Sequence, residues 1–368
     1  MQNICRHHSK FFCTKHTIVP FTIIVVHYTR NRKQEYFNIF YVALHWNHAS
    51  TYDKMSNMSS NKIIIRVDGG FCSQIAFYAL GYDLMQRGYE VKFDLDWYKK
   101  YGKDTDGRFD RSFVFDRVFP SLPFAQATEK ESRHYRIFHP RKTTDCDKFV
   151  PPIYIGGYPV CRQSLFLKYR QTFRENFQLN SEEASDPILD KIKIGPSCAV
   201  HVRRGDLAHT TSTYGEPTSV SYFIKAVDII SRLEPKCNFF FFSDEPEWVT
   251  ENILPQLSNL HCFLCNANGS DKGYVDLYLM MHCQHFITSI GSLGFYAAAL
   301  SKSDQSFTIM SRRRDAFIHG LKNVIYLNDG SYDAPPETLT WKDKSVLWNL
   351  AYETPIIRRF YYWLTLRN

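Results

Sequence analysis

Cys198-Ala199-Val200-His201-Val202-Arg203-Arg204-Gly205-Asp206 is an apolar run that ends in two arginines, a glycine and an aspartate. Side chains alternate along a strand, so His201 and Arg203 share one face while Val200 and Val202 share the other. Arg204 falls where the strand passes into a loop, and Gly205 lets the backbone turn. Two planar guanidinium forks at the C-terminal edge of a strand suit a diphosphate, which they hold through paired, charge-assisted hydrogen bonds. Asp206 can keep one fork in place by accepting from it. A plain ion pair at a strand end explains the same residues, and the rest of the chain decides between the two readings.

Outward from this stretch the pattern repeats. The alternation predicts strands near 198–202, 237–242, 261–265, 286–288 and 307–310, with helices between them near 221–233, 247–254, 274–283 and 292–301. Strands alternating with helices at this length mean a parallel, doubly wound sheet, which takes its ligands beyond the C-terminal ends of its strands. Ser243-Asp244 follows Phe239-Phe240-Phe241-Phe242, so a second strand end carries polar residues to the rim that holds the arginines. Upstream, residues 62–67 read as a strand and Asp68-Gly69-Gly70 as a turn. A helix on the spacing of Ile75, Tyr78, Ala79, Tyr82 and Met85 follows, and then a strand over 89–95. That is a βαβ unit. Residues 98–150 read as polar and irregular, 164–177 as one helix, and 180–186 as a link between domains.

These breaks predict an atypical extension at 1–60, a first lobe at 61–185, a second lobe at 186–345 and a C-terminal helix or tail at 346–368. In the extension, residues 1–52 crowd six histidines and carry six basic residues against Glu35. Its apolar runs are too short to span a bilayer, so it reads either as a membrane-associated tail or as a translated upstream segment that is not native, and the second is preferred. Beyond it, little remains of the net charge of +8, which argues against a nucleic-acid partner. Ten scattered cysteines, several inside apolar runs, point to a reducing compartment. Cys262-Phe263-Leu264-Cys265 has zinc-ligand spacing, but no second pair follows, so a strand with two thiols is expected and no metal. Near the C-terminus, residues 356–364 mix aromatics with arginine, as an interfacial helix or one packed across two domains does.

The chain resembles glycosyltransferase family 11, the GDP-fucose-using α1,2-fucosyltransferases of bacterial surface polysaccharides. His201 to Asp206 matches the family's His-x-Arg-Arg-Gly-Asp. Phe242-Ser243-Asp244-Glu245-Pro246-Glu247-Trp248 matches its Phe-Ser-Asp element and short helix, and Asp276-Leu277-Tyr278-Leu279-Met280 with Ser292-Leu293-Gly294 matches a third element. Gly69-Gly70-Phe71-Cys72-Ser73-Gln74 follows its Gly-Gly-x-x-Asn-Gln loosely, and Gly156-Gly157-Tyr158 is similar to its Gly-Tyr-Trp stretch. Ser73, Ile290-Gly291 and Phe295-Tyr296 depart from the pattern, so donor binding carries over better than acceptor choice.

The resemblance implies an α/β, GT-B-like fold with two Rossmann-like doubly wound lobes facing across a cleft. It implies GDP-fucose as donor and a galactose-containing oligosaccharide or lipid-linked acceptor, handled on the cytoplasmic face of a membrane, with peripheral membrane contact left open. Arg203 and Arg204 would contact the donor phosphates and stabilise charge growing on GDP, so no metal or other cofactor is needed. His201 is a base, a phosphate contact or a core histidine, and Asp206 orients an arginine. Asp244 and Asp276 accept from guanine or ribose, or else cap or solvate a helix. Ser243 belongs to the donor side by position. Ser292 and Leu293 meet phosphate at a helix start, where Ser292 is equally a plain N-cap. Gly69, Gly70 and Gln74 face the cleft and acceptor, an exposed first-turn position being the alternative for Gln74. Two other functions stay open: a different GDP-sugar transferase, such as an α1,6-type fucosyltransferase, and a non-catalytic nucleotide-sugar or glycan-binding protein.

Overall fold

The computed structural model describes residues 61–103, 110–142, 150–156, 162–205, 217–265, 272–303, 305–311, 321 and 323–327. All of them lie in one compact unit, Ser56–Asn368. The extension at 1–60, Asp206, Gly157-Tyr158 and the tail at 346–368 lie outside the described residues.

In the first lobe β1 (Lys62–Arg66), β2 (Glu90–Asp94), β3 (Pro140–Lys142) and β4 (Ile153–Gly156) form a sheet in the order β2-β1-β4-β3. Every pairing is parallel. β1 is apolar on both faces. Ile63 and Ile65 join the main core with α1 (Phe71–Gln86), while Ile64 meets Tyr135 and Tyr154 on the other side. Tyr135 belongs to α2 (Glu129–Phe138), so helices cover both faces of the sheet.

α2 forms in a stretch that reads as irregular because its residues are polar. A reciprocal capping box between Thr128 and Glu131 starts it. Glu131 also takes Lys92 Nζ at 2.7 Å and Lys62 Nζ at 3.0 Å, which pins α2 to β1 and β2. Burial alone would raise this carboxyl, but the hydrogen bonds from Lys92, the Thr128 N–H and Lys62 outweigh it and hold Glu131 at about 2, below its usual 4.5. A depressed carboxyl stabilises the fold above pH 4.5 and loses that contribution as pH falls towards 2. Glu131→Gln is therefore expected to cost roughly 1–3 kcal/mol at pH 7 and to flatten the stability profile between those values, read by urea unfolding across pH.

The helix expected over 164–177 is two helices, α3 (Arg162–Lys168) and α4 (Arg170–Asn176), broken at Tyr169. Asp83 of α1 meets the chain at this break. Its buried carboxylate takes Lys168 Nζ at 2.6 Å and the Tyr169 hydroxyl at 2.7 Å. Successive residues of a continuous helix point about 100° apart, and the break at Tyr169 lets both converge on one oxygen.

The second sheet contains β5 (Ser197–Val202), β6 (Asn238–Ser243), β7 (Cys262–Cys265), β8 (His285–Thr288), β9 (Thr308–Ser311) and β10 (Val324–Leu327). They run parallel in the order β10-β9-β8-β5-β6-β7. Counted from β5, this is the 3-2-1-4-5-6 order of dinucleotide-binding sheets. The phenylalanines of β6 divide between the two faces. Phe239 and Phe241 pack in the core that includes Ile230 of α5 (Val220–Leu233), and Phe240 and Phe242 in the core shared with the first lobe. α6 (Pro246–Asn252), α7 (Gly273–Met281) and α8 (Leu293–Leu300) follow β6, β7 and β8.

Two parallel sheets flanked by helices make the GT-B-like α/β architecture expected from the sequence. The lobes meet through aromatics: Phe166 of α3 stacks on Tyr296 of α8 at 4.1 Å, and Phe71 of α1 sits edge-on to Tyr274 of α7 at 6.0 Å. Arg174 of α4 donates Nε to the Leu300 carbonyl at 2.8 Å, satisfying the C-terminus of α8.

Candidate active site

The chain leaves β5 towards β6 on one side and returns through β8 on the other, so the switch point of the second sheet lies between β5 and β8. The backbone is stitched there beyond the strand ends. Arg203 N–H donates to Ser289 Oγ at 2.9 Å, and Ser289 N–H donates to the His201 carbonyl at 3.0 Å. Tyr222 of α5 donates its hydroxyl to the Thr288 carbonyl at 2.8 Å, fixing the end of β8 from beneath.

Gly291 then turns at φ +121°, and a Cβ there would stand 3.0 Å from Arg203 Cδ and 3.5 Å from His201 Cε1. The Arg203 stem therefore lies across the glycine. His201, nearly buried, sits under the same turn. Gly291→Ala adds both backbone strain and a close contact. It is expected to displace the Arg203 guanidinium and weaken nucleotide binding about tenfold or more, measured by titration, with the melting temperature lowered only modestly.

Arg204 faces the β6 side. Its N–H donates to Asp244 Oδ1 at 2.8 Å, its Nε to Glu245 Oε2 at 3.2 Å, and its guanidinium carbon lies 3.7 Å from the centre of the Trp248 ring. Ser243 Oγ accepts the Glu245 N–H at 3.0 Å, which shapes the turn into α6. Asp244 thus ties down a loop and does not cap α6. Asp276, half-buried, lies in the first turn of α7. It is close enough to the Cys265 thiol at the end of β7 to add to the upward shift that burial causes there. Ser292 occupies the N-cap position of α8 but its side chain caps no N–H, so the plain N-cap reading fails, and Leu293 is the first helical residue.

In the first lobe Gly69 and Gly70 join β1 to α1, with Gly69 O accepting the Tyr98 hydroxyl at 3.0 Å. Gln74 requires correction in both of its readings. It is neither exposed nor aimed at a ligand: it is buried, donates Nε2 to Ser112 O at 2.8 Å, and accepts the N–H groups of Val114 and Phe115 at 3.0 and 3.1 Å. Its amide anchors a loop that would otherwise bury bare backbone polar groups. Cys262 and Cys265 form the expected strand, but residues three apart face opposite sides of it, so the two thiols diverge.

A depression of about 310 Å³, lined by Lys193, His282 and Lys302 among others, opens at the N-terminal edge of β5 and β8. It lies at the other end of the strands from the arginines.

The sequence profile of "Glycosyl transferase family 11" matches residues 128–333. The chain is a member of glycosyltransferase family 11.

Among curated relatives, the galactoside alpha-(1,2)-fucosyltransferase 1 of Saimiri boliviensis boliviensis is 28% identical over 166 residues, 42% of this chain and 44% of that protein. The protein of that name from Rattus norvegicus is 29% identical over 165 residues, 42% and 43% of the two chains. The family 11 chain thus matches less than half the length of these relatives. Among solved structures, the NodZ alpha-1,6-fucosyltransferase soaked with GDP-fucose has a TM-score of 0.41 and 16% identity, over 66% of this chain and 93% of that one.

The family 11 match takes in every strand of the second sheet and every candidate from His201 to Leu293, whereas Gly69, Gly70 and Gln74 precede it. Sequence reasoning missed Tyr222, Ser289 and Trp248 as parts of the site. Trp248 had a signal, since it stands just past the Ser-Asp strand end. Tyr222 had none, because nothing local says that its hydroxyl reaches β8. Among the described residues no helix is long and apolar enough to cross a membrane.

Proposed function

We propose that this family 11 protein transfers L-fucose from GDP-β-L-fucose, with inversion, to the 2-hydroxyl of a galactose in an oligosaccharide or lipid-linked acceptor. One observation carries the reading: Arg203 sits at the switch point between β5 and β8, with Arg204 beside it at the end of the same strand. The names of the curated relatives support fucose as the transferred sugar and an α1,2 linkage to a galactoside.

The acceptor oxygen forms a bond to the anomeric carbon while the carbon–oxygen bond to the β-phosphate breaks, GDP leaves with the electron pair, and the acceptor hydroxyl's proton passes to the departing phosphate or to solvent. Negative charge grows on the diphosphate in that step. Fixed guanidinium groups stabilise it more in the transition state than in the ground state, which raises the rate. The end of the turn at 291–292 and the start of α8 offer backbone N–H groups to the same phosphates. His201 supports the Gly291 turn from below, and Asp276 takes the nucleoside side.

The test is GDP-fucose turnover by the full chain on a panel of galactosides, with linkage read by NMR. The expected product is an α1,2-linked fucoside. A product at the 6-hydroxyl, or use of another GDP-sugar in preference to GDP-fucose, contradicts the proposal.

A further inference from the structure

We propose that Trp248 is a positioning residue for Arg204, a seat that holds the guanidinium ready for an anionic ligand; this rests on the reading that Arg204 meets the donor diphosphate. Two contacts fix the side chain and a third fixes the backbone behind it. The guanidinium carbon lies 3.7 Å over the indole centre, Glu245 takes Nε at 3.2 Å, and the backbone N–H of Arg204 donates to Asp244 Oδ1 at 2.8 Å. A flat cation over the indole face is attracted by the ring's quadrupole, and stacking restricts rotation of a long, flexible side chain.

The seat itself is firm. Val249, the next residue of α6, is fully buried in the core under β6, and the Trp248 carbonyl accepts Asn252 Nδ2 at 2.9 Å. Glu245 engages only Nε among the described contacts, so the edge bearing the two Nη nitrogens is the one left for phosphate oxygens. That edge also presents two parallel N–H donors to one phosphate. The arginine side chain is only 19% exposed, where attraction to the ring is less screened than at an open surface. Ordering the fork before the ligand arrives removes an entropy cost from binding.

The alternative use of the same indole is to stack the nucleobase directly, and the two make opposite predictions. The full chain is titrated with GDP and with guanosine, using wild type, Trp248→Phe, Trp248→Leu, Arg204→Ala and the Arg204→Ala/Trp248→Leu double variant. Trp248→Leu is expected to weaken GDP about tenfold and Trp248→Phe about threefold, following the order of ring strength. Guanosine affinity is unchanged in both, and the double variant binds GDP no worse than Arg204→Ala alone. Equal losses for GDP and guanosine assign the indole to the base and overturn the proposal. So do losses that simply add in the double variant. Trp248→Phe, which keeps a ring at this position of α6, guards against a folding defect, and thermal melts accompany every variant. If wild type fails to bind GDP, the donor reading itself falls and takes the proposal with it. If wild type binds GDP and Trp248→Leu binds it equally well, only the seat falls.

Discussion

In steady-state assays with GDP-fucose, Arg203→Ala is expected to lower kcat/KM by about 10²–10³-fold, the range for removing one preorganised donor from a developing negative charge. The loss is concentrated in kcat if the contact strengthens as GDP departs. The fold itself is expected to stand. β5 is buried along its whole length, and the stitch from residue 203 to Ser289 uses the backbone N–H, which alanine keeps. Arg203→Lys recovers only part of the rate, because an ammonium group cannot present the paired donors of a guanidinium fork. A melting temperature within a few degrees of wild type, alongside the lost rate, separates chemistry from unfolding.

Gly294→Ala carries the second large effect, on stability and function together. A Cβ at 294 would lie 2.8 Å from Thr288 Cγ2, 2.9 Å from Thr288 Cβ and 3.3 Å from His201 Cβ. Thr288 is β-branched and buried on a strand, so it has no open rotamer to move into. The start of α8 must therefore lift away from β5 and β8, carrying Ser292 and the Gly291 turn with it. Overpacking of this kind costs about 1–3 kcal/mol. GDP affinity falls in the same variant, because the N–H groups at the helix start no longer face the crevice. Gly195→Ala, where an added Cβ meets nothing within 4 Å, is the control. Urea unfolding and GDP titration on both variants check the pair.

Much of the second sheet was legible because its strands are buried on both faces and read as unbroken apolar runs, as in Phe239-Phe240-Phe241-Phe242. β3 and β4 were not. They are three and four residues long, β3 begins on a proline, and β4 follows two more, so neither has the length to display a period. α2 hid behind its polar composition, although Thr128-Glu129-Lys130-Glu131 carried the capping-box signature in plain view. β10 is half-buried at an edge and alternates nothing.

The site divided in the same way. The strand-end arginines announced themselves by type and position. That Trp248, Ser289 and Gly291 hold them was not legible, since these residues lie 40 to 90 positions further along and meet the arginines only because β6 and β8 flank β5. Gln74 misled for a related reason. A polar residue one turn into a helix looks exposed until a distant loop, here 112–115, arrives to use its amide.

We place the donor diphosphate at the β5–β8 switch point, and a crystal structure of the full chain with GDP is the decisive test. Phosphate oxygens are expected within hydrogen-bonding distance of Arg203 and of the Nη edge of Arg204, over the turn at 289–292. A diphosphate bound instead at the β1–β4 end of the first lobe, with both arginines untouched, contradicts this placement.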